Sequence, residues 1–267
     1  MDRTLTLTSP LQRGADVKLA QSKLILGGWL RKGGNDGVWG PESARASSTG
    51  HWLLGFPDKL ARAETYGDVM DRVLTEWLKS KTLPADYQQR RVQRLKAVTL
   101  GRKALDWLRT HVGETENPAG SNHVDWATDW YGIGNGPWCA MAATRAYVEA
   151  GSKAFVRGQR WAYVPFIVAS ARAGSDGLSR TYDPQPGDLF CVDWQAQNSS
   201  VYSFDHVGLV DRPPANVYAG ATFTSVEGNT SFASAGSGAS QSNGGACAAR
   251  ERTIIGGGST IFVRVTR

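Results

Sequence analysis

Three residue types in this chain could together cut an amide: a cysteine, a histidine and a carboxylate. Cys139 follows the turn Asn135-Gly136-Pro137-Trp138 and opens an Ala-rich run whose periodicity continues through Arg145, Tyr147 and Val148 to Ala150-Gly151. The spacing predicts a helix with a glycine stop. Cys139 then stands at a helix N-terminus, where the dipole and the unpaired backbone N–H groups favour a thiolate. Roughly 65 residues on, His206 opens the apolar run Val207 to Val210, and Glu227 with Asn229 ends the next one. A thiolate needs a base to take or hold its proton, and that base needs a third group to fix its tautomer and direction. Cysteine, histidine and an acid or amide, distant in sequence and adjacent in space, is the arrangement of cysteine hydrolases. Of the other histidines, His51 follows Ser, Thr and Gly, while His111 and His123 lie in helix-end or loop surroundings.

These residues need a scaffold, and the chain changes texture to supply one. Its first part reads as helical. Asp16 precedes a face of Val17, Ala20, Gln21 and Leu24, and Gly33 to Ser43 is turn chemistry with Pro41 suited to a helix start. A helical pattern then runs from Lys59 to Leu108, broken at Leu83-Pro84. Beyond Val112-Gly113 comes a loop, then Val124 to Tyr131 with three aromatics, Trp126, Trp130 and Tyr131, and then the cysteine turn. After the Cys139 helix the pattern is β: Pro186-Gly187-Asp188 leads a strand through Trp194, and Asp205 to Val210 is another. Asn216 to Asn229 is a third, Ser231 to Gly245 a Ser/Gly/Ala loop long enough to carry function, and Ile261 to Val265 closes the sheet. The predicted fold class is α+β. A helical domain over 1–100 precedes a domain over 101–267, with the boundary near Thr99 to Arg102 and the nucleophile's helix packed on an antiparallel sheet.

A chain of 267 residues with 41% hydrophobic content and 10 Trp can build two cores. Three cysteines, at 139, 191 and 247, form no metal spacing and no disulfide framework, which fits synthesis in a reducing cytosol. Met1 to Ser9 lacks a basic n-region and an apolar core, and no run approaches the ~18 apolar residues that span a bilayer. No signal peptide and no stable membrane insertion are expected. The net charge of +6 suits an anionic partner. Its main cluster, Gln88 to Lys96, reads as a solvated helix face, and no nucleic-acid module is recognisable, so no nucleic-acid partner is expected. Asp188 and Asp205 read as turn caps or solvated acids, and neither a metal nor another cofactor is expected.

Two resemblances add to this reading. Gly14, Asp16, Val17 and Gln21, followed by Asp36, Gly37, Trp39, Gly40, Pro41 and Glu42, resemble the small helical peptidoglycan-binding module of cell-wall hydrolases. Ser47-Ser48-Thr49-Gly50 interrupts the expected second helix, which departs from that pattern. Pro137-Trp138-Cys139-Ala140, Pro186-Gly187-Asp188-Leu189, Asp205 to Val210 and Glu227 to Ser231 resemble the CHAP family, the cysteine, histidine-dependent amidohydrolases/peptidases of papain-like fold. This second resemblance covers about Val112 to Arg267. Glu116 to Asn122, Trp130-Tyr131-Gly132 and Ser242 to Gly245 are further similar to the versions in endolysins of actinobacterial phages.

The CHAP resemblance implies Cys139 as nucleophile, His206 as base and later acid, and Glu227 as orienter, with Asn229 sharing or replacing that role. Asn122, Tyr131 and Trp138 are the expected substrate contacts. It implies a monomeric endolysin that waits in the host cytoplasm and then hydrolyses peptidoglycan, with the muramoyl-alanine amide as the favoured bond. A cut in the stem peptide or cross-bridge uses the same residues and stays open, as does a non-catalytic wall-binding or virion structural protein.

Overall fold

A computed structural model describes residues 3–57, 60, 63–158, 160–196, 200–232, 240 and 243–267. The chain divides into two compact units, Met1–Leu95 and Lys96–Arg267. Lys59, most of the Ser/Gly/Ala loop and Ser242 lie outside the described residues.

The first unit is helical, with α1 (Ala15–Leu26), α2 (Pro41–Leu53), α3 (Asp68–Ser80) and the start of α4 (Ala85–Arg109). Val17, Leu24, Trp39, Phe56, Tyr66, Met70 and Leu74 form its core. Gln21 is the keystone of the turn between α1 and α2. Its amide nitrogen reaches Asp36 Oδ1 at 2.8 Å, Val38 O at 3.0 Å and Ser43 Oγ at 2.9 Å, and its oxygen accepts from Gly37 N at 2.8 Å. A buried amide with both ends used ties α1 to the Asp36-Gly37 turn.

Two expectations are corrected in this unit. α2 runs unbroken through Ser47 to Gly50, because the small residues are its packing face. Ser47 Oγ donates to Thr65 O at 2.8 Å, and a Cβ on Gly50 would lie 2.5 Å from Trp29 and 2.6 Å from Met70. The basic run is a solvated face only in part: Gln88, Gln89, Val92, Gln93, Leu95 and Lys96 are exposed, whereas the three arginines are half-buried. Arg90 Nε donates to Gly55 O at 2.6 Å, Arg91 to Leu53 O at 2.5 Å, and Arg94 to Trp52 O and Phe56 O at 2.7 Å each. These arginines bind carbonyls in the last turn of α2 and the segment just after it, where positive charge is also favoured.

The second unit is α+β. It holds the remainder of α4, then α5 (Cys139–Glu149), α6 (Val164–Ala173) and six strands: β1 (Leu178–Thr181), β2 (Leu189–Val192), β3 (His206–Arg212), β4 (Thr222–Thr230), β5 (Ala246–Thr253) and β6 (Thr260–Val265). One antiparallel sheet has the order β1-β6-β2-β3-β4-β5. α5 is apolar nearly all round and packs on β3 and β4. Its Ala140, Ala142, Ala143 and Ala146 join Val207, Leu209, Val226 and Val263 in the main core. Leu105 and Leu108 of α4 belong to the same core, and Gly101 faces Gly187 so closely that a Cβ on Gly187 would stand 1.9 Å from the Gly101 carbonyl oxygen. A second apolar cluster, with Phe190, Val192, Val210, Phe223 and Phe262, covers the sheet's other face.

Candidate active site

Cys139 is the first residue of α5, with Trp138 as its N-cap. Trp138 has no exposed surface; its indole N–H donates to the buried Glu116 carboxylate at 2.9 Å. Its ring lies against β4 at Gly228, where a Cβ would stand 2.6 Å from the indole and 2.6 Å from Ala142. Gly228 thus lets α5 approach the strand that carries Glu227.

His206 is the first residue of β3 and pairs with Val192 of β2. Glu227 stands on β4, beside Gly208, because Val226 pairs with Leu209. A Cβ on Gly208 would be 2.5 Å from Glu227 Cγ, so the missing side chain gives the carboxylate its path along β3 to the histidine two residues earlier. Glu227 Oε2 accepts from His206 Nε2 at 2.8 Å, and both residues are fully buried. With Nε2 engaged, Nδ1 has no hydrogen-bond partner among the described residues and is the ring nitrogen left over, and Cys139 lies near enough to act on the charge of the imidazole.

The electrostatics follow from burial set against these contacts. Burial alone pulls the His206 pKa down; Cys139 and Glu227 outweigh it and raise the value to about 9. Burial alone would raise Glu227, but Arg252 and His206 bring it down to about 2. Ser225 Oγ donates to Glu227 Oε1 at 2.5 Å, and Arg252 Nε donates to the same oxygen at 2.8 Å. The other thiols are of a different kind. Burial pushes Cys191 far up and Cys247 up to about 12, so neither competes as a nucleophile.

Asn229 is fully buried at the end of β4, where the pairing with β5 shifts register between Glu227 and Thr230. Its φ of 56° is tolerated best by glycine and asparagine, and it makes the bulge that ends the strand at the site. Gly244 packs its backbone on this turn and donates to the Asn229 carbonyl at 3.1 Å.

Of the three expected substrate contacts, Trp138 and Tyr131 are buried and Asn122 is half-buried. Trp138 is the buried wedge described above. Tyr131 is 3% exposed, and its hydroxyl is held by the backbone of Ala162 and Trp161. Neither offers a face to a substrate; bulk and apolarity put them in the core behind the Cys139 turn. Asn122 is half-buried in the preceding loop, with φ of 55° and a side-chain oxygen that has no hydrogen-bond partner among the described residues.

The two turn acids differ. Asp188 is buried, caps Gln185 N at 2.7 Å and accepts from Arg264 at 3.1 Å and 2.6 Å, tying the head of β2 to β6. Asp205 is desolvated beside His206, and its pKa is raised by that burial. Among the described residues, His123, Asp125 and Asp129 bring possible metal-ligand atoms within 4.8 Å of one another. They are largely exposed, and His123 and Asp129 already pair at 3.0 Å. Arg252 and Glu116 were not singled out in the sequence. The signal was faint: Arg252 is one of two arginines in the polar stretch Arg250-Glu251-Arg252, and Glu116 is one of two acids in a loop.

A cysteine on a helix N-terminus, meeting a histidine and a carboxylate on an antiparallel sheet, defines an α+β papain-like arrangement. Residues 130–229 match the family model of the CHAP domain. The match supports a peptidoglycan amidase or peptidase of the cysteine, histidine-dependent type. No curated protein and no solved structure matches the chain. No helix among the described residues is long and apolar enough to cross a membrane.

Proposed function

We propose that this protein is an endolysin that hydrolyses the muramoyl-alanine amide of peptidoglycan through Cys139, His206 and Glu227. The observation that supports the reading is the buried 2.8 Å bond from His206 Nε2 to Glu227, which leaves Nδ1 for Cys139, a residue near enough to act on the imidazole. His206 carries the proton at neutral pH, and the Cys139 thiolate attacks the amide carbonyl. The tetrahedral oxyanion is met by the Cys139 backbone N–H at the start of α5 and by a neighbouring donor. As the C–N bond breaks, His206 gives its proton to the leaving amine, and a thioester remains. Water then attacks the thioester, His206 takes its proton, and the thiolate is released with the new carboxylic acid. Asn229, two residues after Glu227, supports the strand end that aims the acid. Asn122 is the substrate contact that the loop still offers. The first unit, with its Gln21-centred turn, serves as the wall-binding module.

Cys139 keeps 3% of its surface exposed, so the scissile carbonyl must reach a recessed sulfur. Cys139→Ala in the full chain is expected to slow release of fragments from purified peptidoglycan by at least about 1,000-fold with an unchanged fold. Clearing at the wild-type rate would reject the reading. Mass spectrometry of the fragments tests the bond: a new amino terminus on alanine supports the amidase assignment, and one within the stem or cross-bridge makes the protein an endopeptidase.

A further inference from the structure

Beyond the CHAP-matched residues, on β5, lies a buried cation wired into the site. Arg252 is 4% exposed. Its Nε donates to Glu227 Oε1 at 2.8 Å, and its Nη2 donates to Glu227 Oε2 at 2.5 Å and to Thr230 Oγ1 at 2.9 Å. The Trp194 ring stands 5.0 Å from the guanidinium and 6.1 Å from the His206 ring. The fork thus grips both carboxylate oxygens while Oε2 also accepts from His206.

The need for such a grip follows from burial. A carboxylate fully out of water tends to take up a proton, and a protonated Glu227 would lose the charge that holds the imidazole. Without Arg252 it would keep one hydrogen bond per oxygen, from His206 Nε2 and Ser225 Oγ, and no permanent positive charge beside it. A planar bidentate partner supplies that charge and a second bond to each oxygen. Stability alone does not account for the pair, because buried ion pairs are often matched or exceeded by apolar packing. An apolar pair could not keep an anion aimed at Nε2.

We propose that Arg252 is a positioning residue of the hydrolytic site, holding Glu227 ionised and directed at His206 so that the imidazole keeps its other nitrogen for Cys139. The inference rests on the catalytic reading of Cys139, His206 and Glu227. The groups that act on Glu227 are His206 from β3, Ser225 from its own strand, and Arg252 with the more distant Arg250 and Cys247 from β5. From α5, Cys139 acts through the imidazole.

The test compares Arg252→Met, Arg252→Lys, Glu227→Gln and the double variant Arg252→Met/Glu227→Gln in the full chain. Two rates are followed from about pH 4 to 8: release of fragments from purified peptidoglycan, and alkylation of Cys139 by iodoacetamide, located by mass spectrometry. In Arg252→Met both rates should fall about tenfold at pH 8 and about a hundredfold at pH 5, because Glu227 then takes up a proton within that range. Arg252→Lys, which keeps the charge without the fork, should show a weaker acid limb. With Glu227→Gln already present, Arg252→Met should change either rate by less than about twofold, since the two act through one path. Equal loss at every pH, or the same loss with and without Glu227, would overturn the proposal. Should Arg252→Met fail to fold, Arg252→Lys decides: a wild-type pH profile overturns the proposal and a new acid limb supports it. Fragment release that survives Cys139→Ala would instead sink the hydrolase reading. The alkylation arm, which needs no substrate, still reports on Arg252 in that case.

Discussion

At the scale of single residues, a proton held more tightly in the folded protein than in the unfolded chain makes stability depend on pH. His206 has a folded pKa of about 9 against an ordinary 6.5, so the folded state binds the extra proton between those values. Its contribution is complete below pH 6.5 and is lost as the pH rises through 9. Glu227 works in the opposite sense, contributing fully above pH 4.5 and losing that contribution as the pH falls through about 2. The His206 shift corresponds to at most about 3 kcal/mol. The urea midpoint of the wild type should therefore fall between pH 6.5 and 9, and His206→Asn should flatten that fall. A slope of the same size in His206→Asn would show that other groups carry it. Cys139, His206 and Glu227 were legible as residue types in suggestive places, because a helix start, a strand start and a strand end are local signals. Arg252 was not, because its partner is Glu227 and the strand between them shows no pattern of its own.

At the scale of elements, the site depends on three strips of backbone approaching closely, and glycine permits each approach. Gly228 has no unusual backbone angle, so only space forbids a side chain there. Gly228→Ala would put a methyl group 2.6 Å from Ala142 and from the Trp138 ring. It is expected to cost about 1–3 kcal/mol and to push the Cys139 end of α5 from β4. Thermal unfolding reads the first effect. The second appears as a fall in fragment release larger than the fall in folded fraction; a variant as stable and as active as the wild type would show that α5 has slack. The helix at Cys139 and the strand at His206 were legible because their apolar periods are clean. β4 begins at Thr222, six positions after the expected Asn216, since Val217 to Gly220 form a turn with no partner strand. β1, β5 and α6 were not read at all. β1 has four residues, and β5 carries a buried arginine where alternation demands an apolar residue. α6 is a short, almost wholly apolar run that helix and strand patterns fit equally.

At the scale of the whole molecule, composition announced two cores and a basic surface, but it could not show how the charge is spent. All three arginines of the main basic cluster bind carbonyls at or just after the end of α2, so the net +6 is not a measure of what the surface offers an anionic wall. Where to divide the molecule is also a physical question. The two units meet in sequence at Leu95 and Lys96, inside the 25-residue helix Ala85–Arg109. A cut there severs hydrogen bonds of a continuous helix, whereas a cut before Pro84 keeps the helix whole and takes away the α2 carbonyls its arginines bind and the rings of Phe56 and Trp77 that Tyr87 and Arg91 pack on. A chain of residues 84–267 is therefore the piece to compare with the full protein. If the first unit binds wall and the second cuts it, this piece should release fragments from purified peptidoglycan within about threefold of the full rate. It should also co-sediment with intact wall about tenfold less, and that loss should be seen equally in the Cys139→Ala background, where no wall is consumed. Equal sedimentation of the two chains would assign wall affinity to the second unit alone. A folded piece without hydrolysis would mean that the first unit serves the chemistry as well as the docking.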